Sequence, residues 1–240
     1  ARTAARPAPG SPLNAKVSEQ RRFGMARTEL DDYKRVRKSH GGTVNDVVLA
    51  TVAGALRAWL LTRGEVVSRK TSVRAMVPVS VRAEGATAGG NQVSSLFVDL
   101  PVGEPDPVVR LSQISFQMKG HKESNAAIGA AAIVALGGFA PPTLHALGAR
   151  VGGGLSRRLF NLVVTNVPGP QYPLYAAGAQ MLEVFPVVPL AKGQAVSIGL
   201  TSYDGGVYYG LNADRDAMAD VDVLAQCIEE ALTELVETVK

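Results

Sequence analysis

The sequence has few of the residues that build metal, redox or nucleic-acid sites. Cys227 is the one cysteine among 240 residues, so neither an internal disulfide nor a cysteine metal cluster can form. The three histidines lie far apart without metal-ligand spacing; they are His40, His121 and His145. Aromatic residues make up 5% of the chain and the net charge is +4, too little of either for a nucleic-acid surface. We therefore expect no metal, no disulfide and no nucleic-acid partner.

The common catalytic signatures are absent from the sequence as well. It contains no nucleophile elbow, no Walker phosphate loop, no zinc-protease motif and no glycine-rich dinucleotide fingerprint. The run Gly152-Gly-Gly154 lacks the Lys-Ser/Thr pair of a phosphate loop, so we interpret it as a hinge. Cys227 falls on the apolar side of a predicted helix, which favours a small buried core residue over a nucleophile. The sequence therefore shows no complete active site.

The composition is that of a globular protein. Hydrophobic residues make up 46% and charged residues 19%, and the chain is long enough for one large domain or two small ones. Residues 1–12 are rich in Ala, Pro and Arg, which predicts a linker, and residues 13–240 then form the domain. Since the sequence does not begin with Met, we expect it to be the downstream piece of a longer protein.

Apolar periodicity and end signals predict several helices. They cover residues 31–40, 43–63, 107–122, 126–140, 141–158 and 221–235. In the second helix Thr43 suits the N-cap and Asp46 suits the capping-box position three residues later. Residues 126–140 are small and apolar but fewer than the roughly 20 needed to cross a bilayer, which leaves a buried or a membrane-facing helix.

Alternating and apolar runs predict a β-rich remainder. The strands are expected at residues 22–28, 73–81, 92–100, 160–167, 182–188, 195–202 and 207–213. Asp204-Gly205 predicts a tight hairpin, and Pro78 suggests an edge strand or a bulge. Because helices and strands alternate without a strict βαβ order, we predict a mixed α/β (α+β) fold in which helices flank one face of a mixed sheet.

A few polar residues stand where apolar elements start or stop. Asn14 follows Pro12 and Leu13, Asn45 and Asp46 open the second helix, and Asn166 closes the strand that ends in Pro168-Gly169-Pro170. Buried amides and carboxylates need hydrogen-bond partners, so such groups either lock loops or orient a ligand. Taken singly, each residue fits the loop-locking role better.

Taken in order, these stretches resemble the C-terminal part of the bacterial wax ester synthase/acyl-CoA:diacylglycerol acyltransferase family. The resemblance extends from about residue 11 to the C-terminus, and each motif is short while their ordered series is specific. The motifs are Ser11-Pro-Leu-Asn14, Val44-Asn-Asp-Val47, Met76-Val-Pro-Val-Ser80, Asn91-Gln92, Asn166-Val-Pro-Gly-Pro170, Leu174-Tyr-Ala-Ala-Gly178, Pro186 to Pro189 and Ser202-Tyr-Asp-Gly205. The wealth of Ala and Arg further suggests an actinobacterial, and within that group a mycobacterial, triacylglycerol synthase.

The resemblance implies a fold and a chemistry. The family has two similar halves, each with the mixed sheet of chloramphenicol acetyltransferase-like, CoA-dependent acyltransferases. A His-His-x-x-x-Asp-Gly motif in the N-terminal half supplies the general base, which deprotonates the hydroxyl of a diacylglycerol or long-chain alcohol for attack on acyl-CoA. Acyl-CoA is thus a substrate, and no cofactor is implied.

This sequence departs from the family pattern at the catalytic motif. It contains no His-His pair, and none of its histidines is followed by the required Asp-Gly. We therefore expect the chain alone to be inactive, with no catalytic residue and no metal ligand of its own. The resemblance implies supporting roles for Asn45 and Asp46, and roles in the channel or its structure for two motifs. These motifs comprise Pro12, Leu13, Asn14, Asn166, Pro168, Gly169 and Pro170.

Three functional hypotheses follow. The first is the C-terminal half of an O-acyltransferase that makes triacylglycerols or wax esters, with the N-terminal half, acyl-CoA and a lipid alcohol as partners. The second is a non-catalytic lipid- or CoA-binding module, and the third is a relative acting on another acceptor, such as an amine. For the first we expect a cytoplasmic protein peripheral to the plasma membrane or to lipid droplets, with residues 126–148 lining the acyl channel or resting against lipid.

Overall fold

The computed structural model describes residues 7–80, 93–123 and 159–239 of the chain. In these ranges the elements are β1 (Arg21–Glu29), α1 (Leu30–His40), α2 (Val44–Thr62), β2 (Val73–Ser80), β3 (Val93–Leu100), α3 (Pro107–Glu123), β4 (Leu162–Pro168), β5 (Tyr175–Ala176), β6 (Ala179–Gln180), β7 (Val196–Tyr203), β8 (Gly206–Asp214) and α4 (Val221–Glu237). The predicted helices over residues 126–140 and 141–158 lie outside the described residues.

Helix α2 begins as the sequence predicts. The Thr43 hydroxyl accepts a hydrogen bond from the Asp46 amide (3.2 Å), and the Asp46 carboxylate accepts one from the Thr43 amide (2.8 Å), so the capping box is confirmed. In the described part of the chain, α2 is the one helix long and apolar enough to cross a membrane. However, 72% of its most apolar window is buried within the protein, as expected of a central core helix.

Six of the described strands form a mixed sheet in the order β1-β8-β7-β4-β2-β3. β4 lies parallel to both of its neighbours, β7 and β2, whereas the β1/β8, β8/β7 and β2/β3 pairs are antiparallel. Helices α2 and α4 pack on each other, α3 lies beside α2, and α4 lies along β1. Apolar side chains of one sheet face and of these helices share one core. The mixed sheet flanked by helices confirms the predicted fold class.

Pro78 lies on β2, which the sheet order places between β4 and β3. The edge-strand interpretation is therefore wrong for this strand as a whole. The reason for expecting proline on an edge strand, a missing amide donor, still applies at Pro78, because β2 pairs with β4 at Ala75 and Met76 only. Pro78 lies beyond that pairing and faces Ser95 of β3 in the register, so β4 requires no amide donor from it.

The predicted strand over residues 182–188 is wrong. Within the described part of the chain this stretch has no ladder partner. It instead crosses the sheet face opposite the helices, and we call residues 182–189 the strap. The Val188 carbonyl accepts hydrogen bonds from the Ser197 hydroxyl (2.6 Å) and the Asn212 amide (2.8 Å), which alternate with core residues of β7 and β8. Pro186 and Pro189 lack amide hydrogens, so this segment is poorly suited to a sheet ladder.

The strap approaches the sheet closely because glycines lie beneath it. A Cβ atom on Gly210 would lie 2.0 Å from the Pro186 carbonyl oxygen and 2.8 Å from the Phe23 ring. A Cβ atom on Gly199 would lie 2.7 Å from the Val188 side chain. These two glycines therefore fix how closely the strap packs on the sheet.

Replacing Gly210 by Ala should displace the strap and lower the free energy of unfolding by about 1–3 kcal/mol, the usual cost of overpacking. Urea denaturation followed by circular dichroism measures this loss. Gly120→Ala in α3 is the matched control, since a Cβ atom on Gly120 would have no neighbour within 4 Å and alanine favours helix. A Gly210→Ala variant as stable as the wild type would contradict the close packing of the strap.

Candidate functional site

The motif residues cluster at the two ends of strand β4. Asn14 and its neighbours lie where β4 begins, whereas the Pro-Gly-Pro turn lies where β4 ends. Asn166 lies five positions after Asn161, which contacts Asn14, and at about 3.3 Å per residue this is roughly 17 Å. The structure therefore divides the predicted residues between two places on opposite edges of the sheet.

A buried amide network pins the start of β4. Asn161 is fully buried, and its amide nitrogen donates to the Asn14 side-chain oxygen and to the Pro9 carbonyl (2.8 Å). Its side-chain oxygen accepts from the Arg74 backbone amide of β2 (2.7 Å). One side chain thus ties the incoming chain to two neighbouring strands. The sequence prediction missed Asn161, although it is the polar residue that opens the same apolar run that Asn166 closes.

The residues around Asn14 anchor the segment before β1. Leu13 is fully buried, and its carbonyl accepts from the Ala195 amide at 2.7 Å, just before β7. Asn14 donates to the Phe160 carbonyl (3.5 Å), which Gln194 also approaches (3.3 Å). Pro12 is half-buried in the same segment. Leu13 and Asn14 therefore fix this segment to the residues that immediately precede β7 and β4.

The turn that ends β4 is bound to the β7–β8 hairpin. A Cβ atom on Gly169 would lie 2.3 Å from the Ser202 carbonyl, so the backbones meet where only glycine fits. The Gln171 amide donates to the Gly169 carbonyl and to the Ser202 hydroxyl, both at 3.0 Å, and its oxygen accepts from the Gly205 amide (3.1 Å). Gln171 is absent from the residues that the sequence predicts for the site. It nevertheless joins two of the predicted motifs, the one that ends in Pro170 and the one from Ser202 to Gly205.

The predicted Asp204-Gly205 hairpin is confirmed, and it completes this edge. Asp204 and Gly205 have φ of 44° and 89°, as the two central positions of a type I′ turn require. The Asp204 amide donates to the Pro170 carbonyl (3.1 Å), and the Gly205 carbonyl accepts from the Leu30 amide at the start of α1 (2.8 Å). Three segments distant in sequence therefore meet at the end of β4.

The Asn166 side chain lies at this edge and has no hydrogen-bond partner among the described residues. Along β4 it shares the helix-facing side with Leu162 and Val164, and it is half-buried. In the described ranges its side chain forms no hydrogen bond, while its backbone pairs in register with Leu200. A half-buried amide with free donor and acceptor positions can serve a group that approaches this edge.

Asp46 has the same location in the fold. The last turn of α2 contacts Asp220, through the Trp59 indole (2.9 Å) and Arg63, beside the edge where β4 begins. The first turn of α2 therefore points to the other edge, where β4 ends. Asp46 is 4% exposed, and one of its oxygens accepts from Thr43 and from the Ser115 hydroxyl (3.2 Å). Its other oxygen has no hydrogen-bond partner within the described part of the chain.

Two histidines are described, and both have structural partners. The His40 ring lies 2.8 Å from the Thr238 hydroxyl near the end of α4. His121 interacts with the backbone of Phe97, and its burial lowers its pKa below the ordinary value for histidine. His145 lies outside the described residues.

A cleft of about 290 Å³ lies elsewhere, between α2, α3 and α4. Its lining includes Gly54, Cys227 and the buried Arg110, whose guanidinium is 3.5 Å from the Glu234 carboxylate. None of the motif residues lines this cleft, so it is separate from both ends of β4. Cys227 is buried against the core as predicted, and burial raises the pKa of its thiol.

Asn161→Ala should lower the free energy of unfolding by about 3 kcal/mol, because it leaves the Arg74 amide and two oxygens without partners. Asn14→Ala should cost about 1 kcal/mol, since the Asn161 amide still donates to the Pro9 carbonyl and the Phe160 carbonyl still accepts from Gln194. Urea unfolding of both variants tests this order. Equal losses in the free energy of unfolding would show that Asn161 contributes no more to the network than Asn14 does.

Two family models match the sequence. The model described as the WS/DGAT C-terminal domain matches residues 89–236, more than half of the chain. The model described as the wax ester synthase/diacylglycerol acyltransferase catalytic domain matches residues 1–48. The second range contains β1, α1 and the first residues of α2, which belong to the same sheet and helix layer as the first range.

Curated relatives agree with these matches. A probable diacylglycerol O-acyltransferase of Mycobacterium tuberculosis, tgs2, is 38% identical over 97% of this chain and 51% of its own length. Its relative tgs1 is 34% identical over 94% of this chain and 49% of its own length. The O-acyltransferase WSD of Acinetobacter baylyi is also 34% identical, over 94% of this chain and 48% of its own length. The chain thus spans about half the length of the curated relatives it matches.

Solved structures resemble the fold described above. The wax ester synthase/diacylglycerol acyltransferase of Marinobacter aquaeolei VT8 superposes with a TM-score of 0.74 and 29% identity, over 95% of this chain and 51% of that one. The cyclization-docking bidomain of EpoB from Sorangium cellulosum shares the fold, with a TM-score of 0.57 and 18% identity over 98% of this chain and 47% of that one. On these matches of sequence and fold, the chain belongs to the wax ester synthase/diacylglycerol acyltransferase family.

Proposed function

We propose that this chain is the C-terminal half of an O-acyltransferase that transfers a long-chain acyl group from acyl-CoA to diacylglycerol or to a long-chain alcohol. One observation carries the proposal. The chain matches the C-terminal domain of the family, and its sequence contains no His-His-x-x-x-Asp-Gly motif. A half-length member without the general base needs a second half that contains it. In this proposal the chain supplies structure and part of the substrate channel, and the other half supplies the proton transfer.

The proposed reaction moves an acyl group from the sulfur of CoA to the oxygen of the acceptor. A histidine of the other half removes the proton of the acceptor hydroxyl, and the resulting oxygen attacks the thioester carbonyl of acyl-CoA. The carbon–sulfur bond breaks, CoA leaves as a thiolate, and the imidazolium returns a proton to it. The ester product and free CoA account for all the atoms of the substrates. The chemistry requires no cofactor.

Residues of this chain would act at the edge where β4 ends. Asp46 and Asn166 both lie there, with a carboxylate oxygen and an amide that have no hydrogen-bond partner among the described residues. The Pro-Gly-Pro turn holds this edge rigid through Gln171 and the β7–β8 hairpin. A rigid edge with free polar groups suits the support of a catalytic site across an interface.

The proposed substrates also imply a location. Diacylglycerols and long-chain alcohols reside in membranes and lipid droplets, so the proposal includes a cytoplasmic protein that contacts such surfaces peripherally. The proposed lipid-contacting residues 126–148 lie outside the described ranges, and their deletion from the full enzyme would test this part through vesicle binding.

A complementation assay tests the proposed function. The purified chain should transfer no acyl group from palmitoyl-CoA to dioleoylglycerol or hexadecanol. Co-expression with the part of the M. tuberculosis tgs2 relative that lies outside the matched range should restore turnover. Alanine at the second histidine of the supplied motif is the control and should abolish it.

Two outcomes would overturn the proposal. Robust turnover by the chain alone would place the general base within these 240 residues. Acyl-CoA binding without any turnover alongside a folded, bound second half would favour the non-catalytic lipid- or CoA-binding module. An amine acceptor used in place of the alcohols would instead redefine the acceptor class.

Asn166→Ala should separate support of catalysis from stability. Because the side chain has no internal hydrogen bond among the described residues, its loss should change the free energy of unfolding by no more than about 0.5 kcal/mol. Turnover of the complemented enzyme should fall at least tenfold if the amide serves the assembled site. The control is Asn14→Ala, whose effect should appear in stability first. Unchanged turnover of Asn166→Ala would assign Asn166 no role in the assembled site.

A further inference from the structure

The cleft between α2, α3 and α4 contains a buried cation. Arg110 is 1% exposed, and its guanidinium lines the cleft together with residues of α2 and α4. Arginine is almost never fully buried without hydrogen-bonded partners, because the interior does not replace the hydration that its charge loses. None of the motif residues lines this cleft, so the proposed acyl transfer gives the buried cation no role.

Two of the three guanidinium nitrogens hold the Arg110 side chain in place. Nε donates to the Glu104 carbonyl (3.2 Å) and Nη2 donates to the Pro105 carbonyl (3.1 Å), both in the loop that precedes α3. A Cβ atom on Gly54 would collide with Nη1, so the third nitrogen lies directly against α2. The position of Nη1 is therefore fixed in advance, which lowers the entropic cost of binding a ligand there.

The third nitrogen, Nη1, has no hydrogen-bond partner within the described ranges. The Glu234 carboxylate lies 3.5 Å from it without forming a hydrogen bond, and this side chain is 46% exposed. Water screens so exposed a carboxylate, which therefore compensates the buried charge only in part. Burial lowers the pKa of Arg110 and repulsion from Arg57 adds to the decrease, although Glu234 and Glu104 oppose it. The buried guanidinium can thus accept one more hydrogen-bond partner.

Arg57 gives the cleft a second guanidinium. It is half-buried, and its Nη1 donates to the carbonyls of Val102 (3.1 Å) and Gly103 (3.3 Å). Both of these acceptors are neutral, so these contacts fix the side chain without neutralising its charge. Glu230 and Glu234 also line the cleft, but both are exposed to water. The buried side of the cleft is therefore positive, and its negative groups lie at the rim.

The rest of the cleft is lined by small or aliphatic residues of α2 and α4. They are Gly54, Ala58, Leu61, Cys227 and Ala231. Leu61 is 49% exposed, so an apolar group bound beside it would remove apolar surface from water. The described lining contains no aromatic ring, which favours an aliphatic chain over a stacked ring. At about 30 Å³ for each heavy atom, the share of one water molecule in the liquid, the cleft holds roughly ten such atoms.

We propose that this cleft binds an aliphatic carboxylate of about eight carbons, with its head group on Nη1 of Arg110 and its chain along Leu61. A carboxylate suits this position because it accepts charge-assisted hydrogen bonds from a planar guanidinium. A single negative charge suits it better than the two of a phosphate, since Glu230 and Glu234 at the rim repel each added charge. The bound head group displaces Glu234 toward water. The site does not depend on the proposed acyl transfer.

Ligand-observed NMR with octanoate and the purified 240-residue chain tests the cleft. Octanoate should bind saturably at one site with a Kd of about 1 mM or tighter, the range expected for a ligand of about ten heavy atoms. Acetate has the head group without the chain, and octyltrimethylammonium has the chain with the opposite charge. Each of these two probes should bind at least about tenfold more weakly than octanoate, because each lacks one of the two contacts.

Glu234→Gln separates a ligand site from a purely structural ion pair. The variant should bind octanoate at least about threefold more tightly, because Glu234 repels the carboxylate and competes with it for Arg110. Glu237→Gln is the matched control, since it removes the same charge from an exposed position three residues later on α4 that does not line the cleft, and its affinity should equal that of the wild type. Arg110→Met should weaken binding at least about tenfold, with circular dichroism to check its fold. If that variant fails to fold, the two glutamate variants decide.

Several results would overturn the proposal. Absence of saturable octanoate binding to the wild-type chain would exclude this class of ligand. Octyltrimethylammonium that binds as tightly as octanoate would show an apolar cleft that does not recognise a carboxylate, and acetate that does so would remove the role of the apolar lining. Equal octanoate affinities of the Glu234 and Glu237 variants, or a folded Arg110→Met variant with undiminished affinity, would place the head group elsewhere. Inorganic phosphate that displaces octanoate at equal concentration would assign the cleft to a phosphorylated ligand instead.

Discussion

The amide of Asn161 holds together the strand on which the rest of the structure depends. β4 is the parallel strand between β7 and β2, so its position sets that of the whole central sheet. Asn161 fixes the start of β4 to β2 and to the incoming segment at Pro9 and Asn14. The far end of β4 is fixed by the close approach of Gly169 to the Ser202 backbone and by the hydrogen bond from Gln171 to the Ser202 hydroxyl. Because both ends are pinned, side chains along β4 keep constant positions relative to the edge where Asp46 and Asn166 lie.

Local signals predicted much of this fold. The Thr43–Asp46 capping box, the Asp204-Gly205 hairpin and helix α4 each depend on residues only a few positions apart, and the structure contains all three. The strap shows where local signals fail. Residues 182–188 are apolar enough for a strand, but Pro186 and the following Pro189 lack amide donors. The glycines against which this segment packs, Gly199 and Gly210, stand on β7 and β8. Such a contact is visible only once the strands are placed.

The candidate site was predictable in its members but not in its arrangement. Ordered motifs in the sequence identified Asn14, Asp46 and Asn166, yet the chain order carries no information on which end of a strand each residue reaches. In the structure, Asn14 lies at the edge where β4 begins, and Asp46 and Asn166 lie at the edge where β4 ends. Asn161 and Gln171 were missed because an isolated amide in a sequence resembles any other polar residue. Their importance lies in partners up to 152 residues away in sequence.

The pairing of β1 with β8 has a consequence for how the protein is made. Arg21 faces Asp214 in the register of this pair, so the first strand described must wait for nearly the whole chain before it gains its partner. At synthesis rates of about 5–20 residues per second, that interval is roughly 10–40 s. During this time the edge of β1 that pairs with β8, and the Tyr33 side chain of α1 that bonds to Tyr209 of β8, lack their partners. Chaperone binding during translation should therefore concentrate on residues 21–40, and a synonymous change that slows translation before β8 should increase aggregation of the nascent chain.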